Sequence, residues 1–162
     1  MSVNNNVDVI NIMEIIERVE NFAREYDLFK AHDKLLIACS GGPDSMALVD
    51  IFQKLSVKYK LEIIVAHAEH GIRKESSLND AWYVKNYCEQ KNIPFFMEHL
   101  NVLEHLKTEK LSVETLARKL RYQFLRKIAK AQNATKIVTA HHLNDQAETV
   151  LQHLLRGAGT AG

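Results

Sequence analysis

The sequence is poor in the residues that mark specialised classes. Its two cysteines, Cys39 and Cys88, stand 49 positions apart, with no C-x-x-C and no metal-ligand spacing. That excludes a disulfide framework and a zinc module, and leaves a reduced, cytosolic setting as the expectation. Two prolines and six glycines in 162 residues leave no room for a Pro/Gly-rich linker, and no internal repeat is found. No apolar run approaches the roughly 20 residues of a membrane helix. The opening stretch, MSVNNNVD, lacks the basic and apolar regions of a secretory signal, so no leader is expected. Charge nearly cancels: 21 basic against 20 acidic side chains give +1, which excludes a strongly basic packaging protein.

What is present is globular. Apolar residues make up 46% and charged residues 25%, enough for one compact domain with a real core. Residues 9–29 show helical spacing through Ile10, Met13, Ile16, Val19, Phe22 and Ala23. From there short apolar runs and helical patterns alternate. Strands are expected at 35–39, 61–66, 93–100 and 136–140, and helices at 43–55, 77–91, 112–130 and 144–155. Runs apolar on both faces suit buried parallel strands. The predicted fold is α/β, a Rossmann-like parallel sheet sandwiched by helices, with residues 1–30 forming an N-terminal helix packed on a domain of residues 31–162.

Ligands of such sheets bind beyond the carboxyl ends of the strands. Three of the four predicted strand ends are rich in chemistry. Residues 40–45 (SGGPDS) follow the first; His67, Glu69, His70, Gly71 and Arg73 follow the second; His141, His142, Asn144 and Asp145 follow the fourth. In the first, Gly41 and Gly42 let backbone amides approach a ligand, and Pro43 suits the first turn of a helix whose positive end faces the same place. Ser40 and Ser45 add hydroxyls. The result is an anion cradle suited to a phosphate chain. It is neither a Walker A loop nor G-x-G-x-x-G. With no lysine inside it, a grip on pyrophosphate is expected rather than γ-phosphoryl transfer. Asp44 would repel a phosphate unless Mg²⁺ lay between them. An ordinary Ser/Gly strand-to-helix turn remains the bland alternative.

Ser-Gly-Gly-x-Asp-Ser after a first strand is similar to the PP-loop of ATP pyrophosphatases. With residues 66–73 (AHAEHGIR), 114–122 (ETLARKLRY), 139–149 (TAHHLNDQAET) and 154–162 (LLRGAGTAG), the chain from about residue 33 onward resembles the tRNA(Ile)-lysidine synthases. The resemblance implies an ATP-dependent carbon–nitrogen ligase of the cytoplasm. It would adenylate C2 of the wobble cytidine of tRNA(Ile) bearing a CAU anticodon, release pyrophosphate, and admit the ε-amine of free L-lysine, which displaces AMP. It implies ATP held by Ala38, Ser40, Gly41, Gly42, Pro43, Asp44, Ser45, His67 and Arg118, Mg²⁺ held by Asp44, and catalysis by Asp44, Arg121, His141 and Asp145. Asn144 departs from the family, many of whose members carry an acid there. The family continues past Gly162 with further helical domains, so the chain is expected to be a fragment of a longer protein or the product of a gene truncated by a frameshift; a homodimer is left open.

Rival readings remain at this point. Thiolation of tRNA uses the same adenylation, but the thiolating relatives use paired cysteines. A metal hydrolase built on His67, His70, His141, His142 and Asp145 would leave the glycine loop without a role. A nucleotide-binding module without catalysis is the third. The charge balance is itself uneven. Residues 106–136 carry 9 basic and 2 acidic side chains, or +7, around Arg118 and Arg121, where an RNA backbone or ATP is expected.

Overall fold

The computed structural model describes residues 12–69 and 76–140, with side chains at 13–69 and 79–140. In chain order the elements are α1 (Ile12–Glu25), β1 (Lys34–Ala38), α2 (Pro43–Tyr59), β2 (Glu62–Glu69), α3 (Ser76–Gln90), β3 (Phe95–His99), α4 (Val102–His105), α5 (Val113–Ala131) and β4 (Lys136–Thr139). The four strands are all parallel, in the order β3-β2-β1-β4. The chain therefore builds outward from β1 through β2 to β3, then crosses back to place β4 on the other side of β1. That reversal creates a crevice at the carboxyl ends of β1 and β4, the switch point where doubly wound sheets bind ligands.

Both faces of the sheet are covered, which explains the apolar runs. Leu35, Ile37 and Val65 pack with Ala23 of α1, Leu48, Val49 and Phe52 of α2, and Val84 and Cys88 of α3. The alternate residues Leu36, Ile64, Ala66 and Ile137 pack on the opposite face with Val102 of α4 and Leu116, Phe124 and Leu125 of α5. Strand residues pointing to alternate faces thus meet a helix layer on each side.

The helix bounds differ from the pattern-based expectation. The first helix stops at Glu25 rather than running to residue 29. Asp27 takes a left-handed φ of 48°, Asp27 N–H donates to Arg24 O (3.4 Å), and Leu28 N–H donates to Ala23 O (2.8 Å). This is a Schellman ending without its usual glycine. Asn92 (φ 54°) and Asn133 (φ 54°) end α3 and α5 in the same way, with Ile93 N–H on Cys88 O and Ala134 N–H on Ala129 O, each at 2.8 Å. A left-handed Lys60 (φ 52°) ends α2 at Tyr59, beyond the expected residue 55. Three side chains of the expected apolar faces are outward: Met13 is 71% exposed, Phe22 37% and Val113 43%. The expected helix over residues 144–155 lies outside the described residues.

Candidate functional site

The loop of residues 40–45 leaves β1 at the switch point. Ala38, the last residue of β1, still pairs with Ala66, and Cys39 N–H donates to Ala66 O at 2.9 Å. Gly41 then takes φ +89°, which side-chain-bearing residues rarely adopt. A Cβ on Gly41 would come within 2.8 Å of the Cβ of Asp80, so glycine is required twice over, by conformation and by space. Gly42 is the N-cap of α2, making no side-chain cap hydrogen bond, and Pro43 opens the helix. The positive end of the α2 dipole lies at this turn, and a Cβ on Gly42 would meet only Ser40 Oγ, at 3.5 Å.

The two serines hold the loop in shape. Ser45, 5% exposed, donates its hydroxyl to Gly42 O (2.9 Å) and accepts from Ser40 N–H (3.2 Å). Ser40 Oγ lies 3.1 Å from Ser45 Oγ and accepts from Gly42 N–H (3.4 Å). With the Ser45 proton on Gly42 O, Ser40 donates in the contact between the two hydroxyls, so both brace the loop, and Ser40 is the exposed one. Asp44 is exposed in the first turn of α2.

His67 was expected after the second strand. Instead β2 runs to Glu69, because its pairing with β3 continues through Glu69↔His99. Within the sheet His67 is 3% exposed. Its Nδ1 lies 2.9 Å from Cys39 O. A carbonyl only accepts, so Nδ1 carries the proton and Nε2 presents a lone pair. Among the described residues, that Nε2 is buried with no hydrogen-bond partner. Burial holds the imidazole below its ordinary pKa, against the opposing Cys39 carbonyl and the charges of Asp80 and Glu69. His67 is therefore neutral and tied to the peptide that launches the loop. Glu69, also buried, is bonded by His99 Nδ1 at 2.5 Å.

Arg118 and Arg121 stand on α5, on the other face of the sheet from α2. Lys127, two turns further along α5, bonds Glu98 near the end of β3 at 2.6 Å. At 1.5 Å per residue, Arg118 and Arg121 therefore stand about 9–14 Å further along the axis, at or beyond the carboxyl edge of the sheet. Both guanidinium carbons lie 5.5 Å from the centre of the Tyr122 ring. The expected pairing of the two arginines on one helix face is present. His70, Gly71, Arg73, His141, His142, Asn144 and Asp145 lie outside the described residues.

Both cysteines are buried. Burial pushes the Cys39 thiol up, and pushes Cys88 up to about 12. Neither is a thiolate at neutral pH. Cys39 falls just past β1 rather than inside it. Sequence reasoning missed Asp80, whose relation to Gly41 arises only because α3 packs beside the loop; no local pattern signals it.

An open parallel sheet with a glycine-bearing loop leaving its central strand β1 at the switch point defines a doubly wound α/β protein. The family described as the PP-loop domain matches residues 11–162, and the chain belongs to that family. It is 42% identical over 151 residues to a tRNA(Ile)-lysidine synthase of Thermosipho africanus, covering 93% of this chain and 35% of that protein. To the tRNA(Ile)-lysidine synthase of Petrotoga mobilis it is 38% identical over 151 residues, covering 93% of this chain and 48% of that protein. The chain thus spans between about a third and a half of these curated relatives. Among solved structures, the U34-tRNA thiolase NcsA of Methanococcus maripaludis, with its [4Fe-4S] cluster, superposes with a TM-score of 0.69 at 16% identity, covering 83% of this chain and 47% of that one. The NH3-dependent NAD synthetase of Campylobacter jejuni superposes with a TM-score of 0.57 at 16% identity, over 83% of this chain and 57% of that one. These two establish likeness of fold.

Proposed function

We propose that this chain is the nucleotide-binding part of a tRNA(Ile)-lysidine synthase, a cytoplasmic ligase that uses ATP, L-lysine and tRNA(Ile) with a CAU anticodon. The observation that carries the reading is the similarity to lysidine synthases across nine-tenths of the chain, 42% and 38% identical in the two relatives above. The loop's chemistry supports it. The N-terminus of α2 at the loop, a backbone that cannot carry a Cβ at Gly41, and no lysine inside the loop suit the pyrophosphate end of ATP. In the reaction, the cytidine C2 oxygen attacks the α-phosphorus and pyrophosphate leaves. The lysine ε-amine then forms a bond to C2, AMP departs with the oxygen, and the amine loses its proton.

Gly41, Gly42, Pro43 and Ser40 form the phosphate cradle, with Ser45 and Ala38 setting its shape and His67 anchoring its first peptide. Asp44 fits a Mg²⁺ ion on the phosphates; such an ion needs only one or two carboxylates beside phosphate oxygens and water. Among the described residues no group of three or more His, Cys, Asp or Glu is placed to hold a metal by itself. When bound, Mg²⁺ neutralises charge on the leaving pyrophosphate. Arg121, aided by Arg118, stabilises charge on the α-phosphate as the bond to pyrophosphate breaks. His141 and Asp145 complete the set, His141 moving a proton and Asp145 orienting ATP or metal. Thiolation loses ground because Cys39 and Cys88 are buried thiols with raised pKa values.

The test is incubation of the protein with ATP, labelled lysine and a tRNA(Ile) transcript with a CAU anticodon. Label joined to RNA, dependent on ATP, is the expected result. ATP binding without lysine transfer by the full-length protein would contradict the ligase and leave a binding module.

A further inference from the structure

Arg118 and Arg121 present a physical problem that the neighbouring Tyr122 ring solves. They are like charges three residues apart on one helix, which repel, and each is a flexible chain with several rotatable bonds to immobilise. Tyr122 meets both difficulties. Its ring is half-buried and packs against the cluster formed by Leu116, Phe124 and the sheet, so it is fixed by the core rather than by solvent. Both guanidinium carbons lie at 5.5 Å from its centre, within the distance at which an aromatic face attracts a cation. The electron-rich ring offsets the mutual repulsion and lowers the freedom each arginine must lose.

We infer that Tyr122 is a positioning residue that holds Arg118 and Arg121 together as a two-guanidinium clamp for one phosphate group. The inference rests on the proposal that these arginines engage ATP. The face of the ring does the work, not the hydroxyl, since the attraction belongs to the π-system. Two consequences follow from that distinction. Phenylalanine or tryptophan should replace Tyr122 with little loss, whereas an aliphatic residue of similar bulk should not. The arginine side-chain protons should also carry an upfield shift from the ring.

The test combines nitrogen-15 NMR of the arginine side chains with ATP titration of the Phe, Trp and Leu variants. In the wild type, the Hε signals of Arg118 and Arg121 are expected upfield of the other arginines, and this needs no variant to fold. Tyr122→Phe and Tyr122→Trp should bind ATP within about twofold of wild type, and Tyr122→Leu about tenfold more weakly, as two cation–π contacts imply. Two unshifted arginine signals would overturn the inference, as would wild-type affinity in Tyr122→Leu. A loss in Tyr122→Phe as large as in Tyr122→Leu would also overturn it by giving the role to the hydroxyl. Arg118→Ala and Arg121→Ala separate the two claims. If neither changes ATP affinity or pyrophosphate release while the upfield shifts persist, the arginine–ATP reading has failed and the ring–guanidinium geometry stands.

Discussion

Single residues in the loop have narrow tasks. Gly41 is constrained by its φ of +89° and by Asp80. Gly41→Ala is expected to weaken ATP binding at least about tenfold, since strain of this kind costs on the order of 1–3 kcal/mol. Asp80→Gly in the same chain should recover part of that loss, because it removes the side chain the new methyl would strike. Isothermal titration of the two single variants and the double variant measures the coupling, and no recovery would assign the whole effect to backbone conformation. Asp44 is exposed and lies in the loop's first helical turn. Asp44→Asn should abolish pyrophosphate release and leave the melting temperature within about 2 °C, as surface substitutions usually do. Near-normal release would remove the carboxylate's metal role. The loop and the arginine pair were legible in the sequence because each is local. Asp80 and the true situation of His67 were not. Both depend on contacts between segments distant in sequence, and alternation alone does not reveal how far β2 extends.

At the scale of elements, the strand and helix order among the described residues was legible apart from α4, and α3 and α5 fall within a residue of their expected bounds, whereas the ends of α1 and α2 were not legible. Glycine is the usual signal for a left-handed helix end, and this chain uses Asp27, Lys60, Asn92 and Asn133 instead. Leu28, Leu61 and Ile93 follow three of them and turn into the core. The short α4 escaped notice because four residues give no periodicity. How α1 is held to α2 was equally invisible. Glu20 of α1 pairs with Lys58 of α2 and accepts from Tyr59 Oη at 2.6 Å. Bonds from Lys58 first, and Tyr59 next, hold the Glu20 carboxyl below its ordinary pKa. A depressed carboxylate stabilises the fold above its unfolded value, near pH 4.3, and loses that contribution as pH falls through the lower folded value. Tyr59→Phe keeps the ring that meets Phe29 edge-on at 5.3 Å and should cost about 1 kcal/mol at pH 7. Denaturant unfolding across pH should show the gap between variant and wild type narrowing below about pH 4. A gap that stays constant to pH 3 would mean that Glu20 does not carry it.

Among the described residues, the candidate site residues gather at the carboxyl ends of a parallel sheet. The glycine loop, the neutral His67 beneath it and the α5 arginines come from three different segments, and the parallel topology delivers them toward the same side. The near-zero net charge conceals this arrangement, because the +7 of residues 106–136 is cancelled by acids elsewhere. Part of that basic segment is already neutralised: Lys119 pairs with Glu109 and Lys127 with Glu98, each at 2.6 Å. The central claim is that the loop grips the pyrophosphate end of ATP while the α-phosphate is transferred. The most direct measurement is the site of ATP cleavage, read with α-labelled ATP in the presence of the tRNA(Ile) transcript. Label is expected in AMP or joined to RNA, with pyrophosphate released and both dependent on the transcript. Label in ADP, with orthophosphate released, would contradict it.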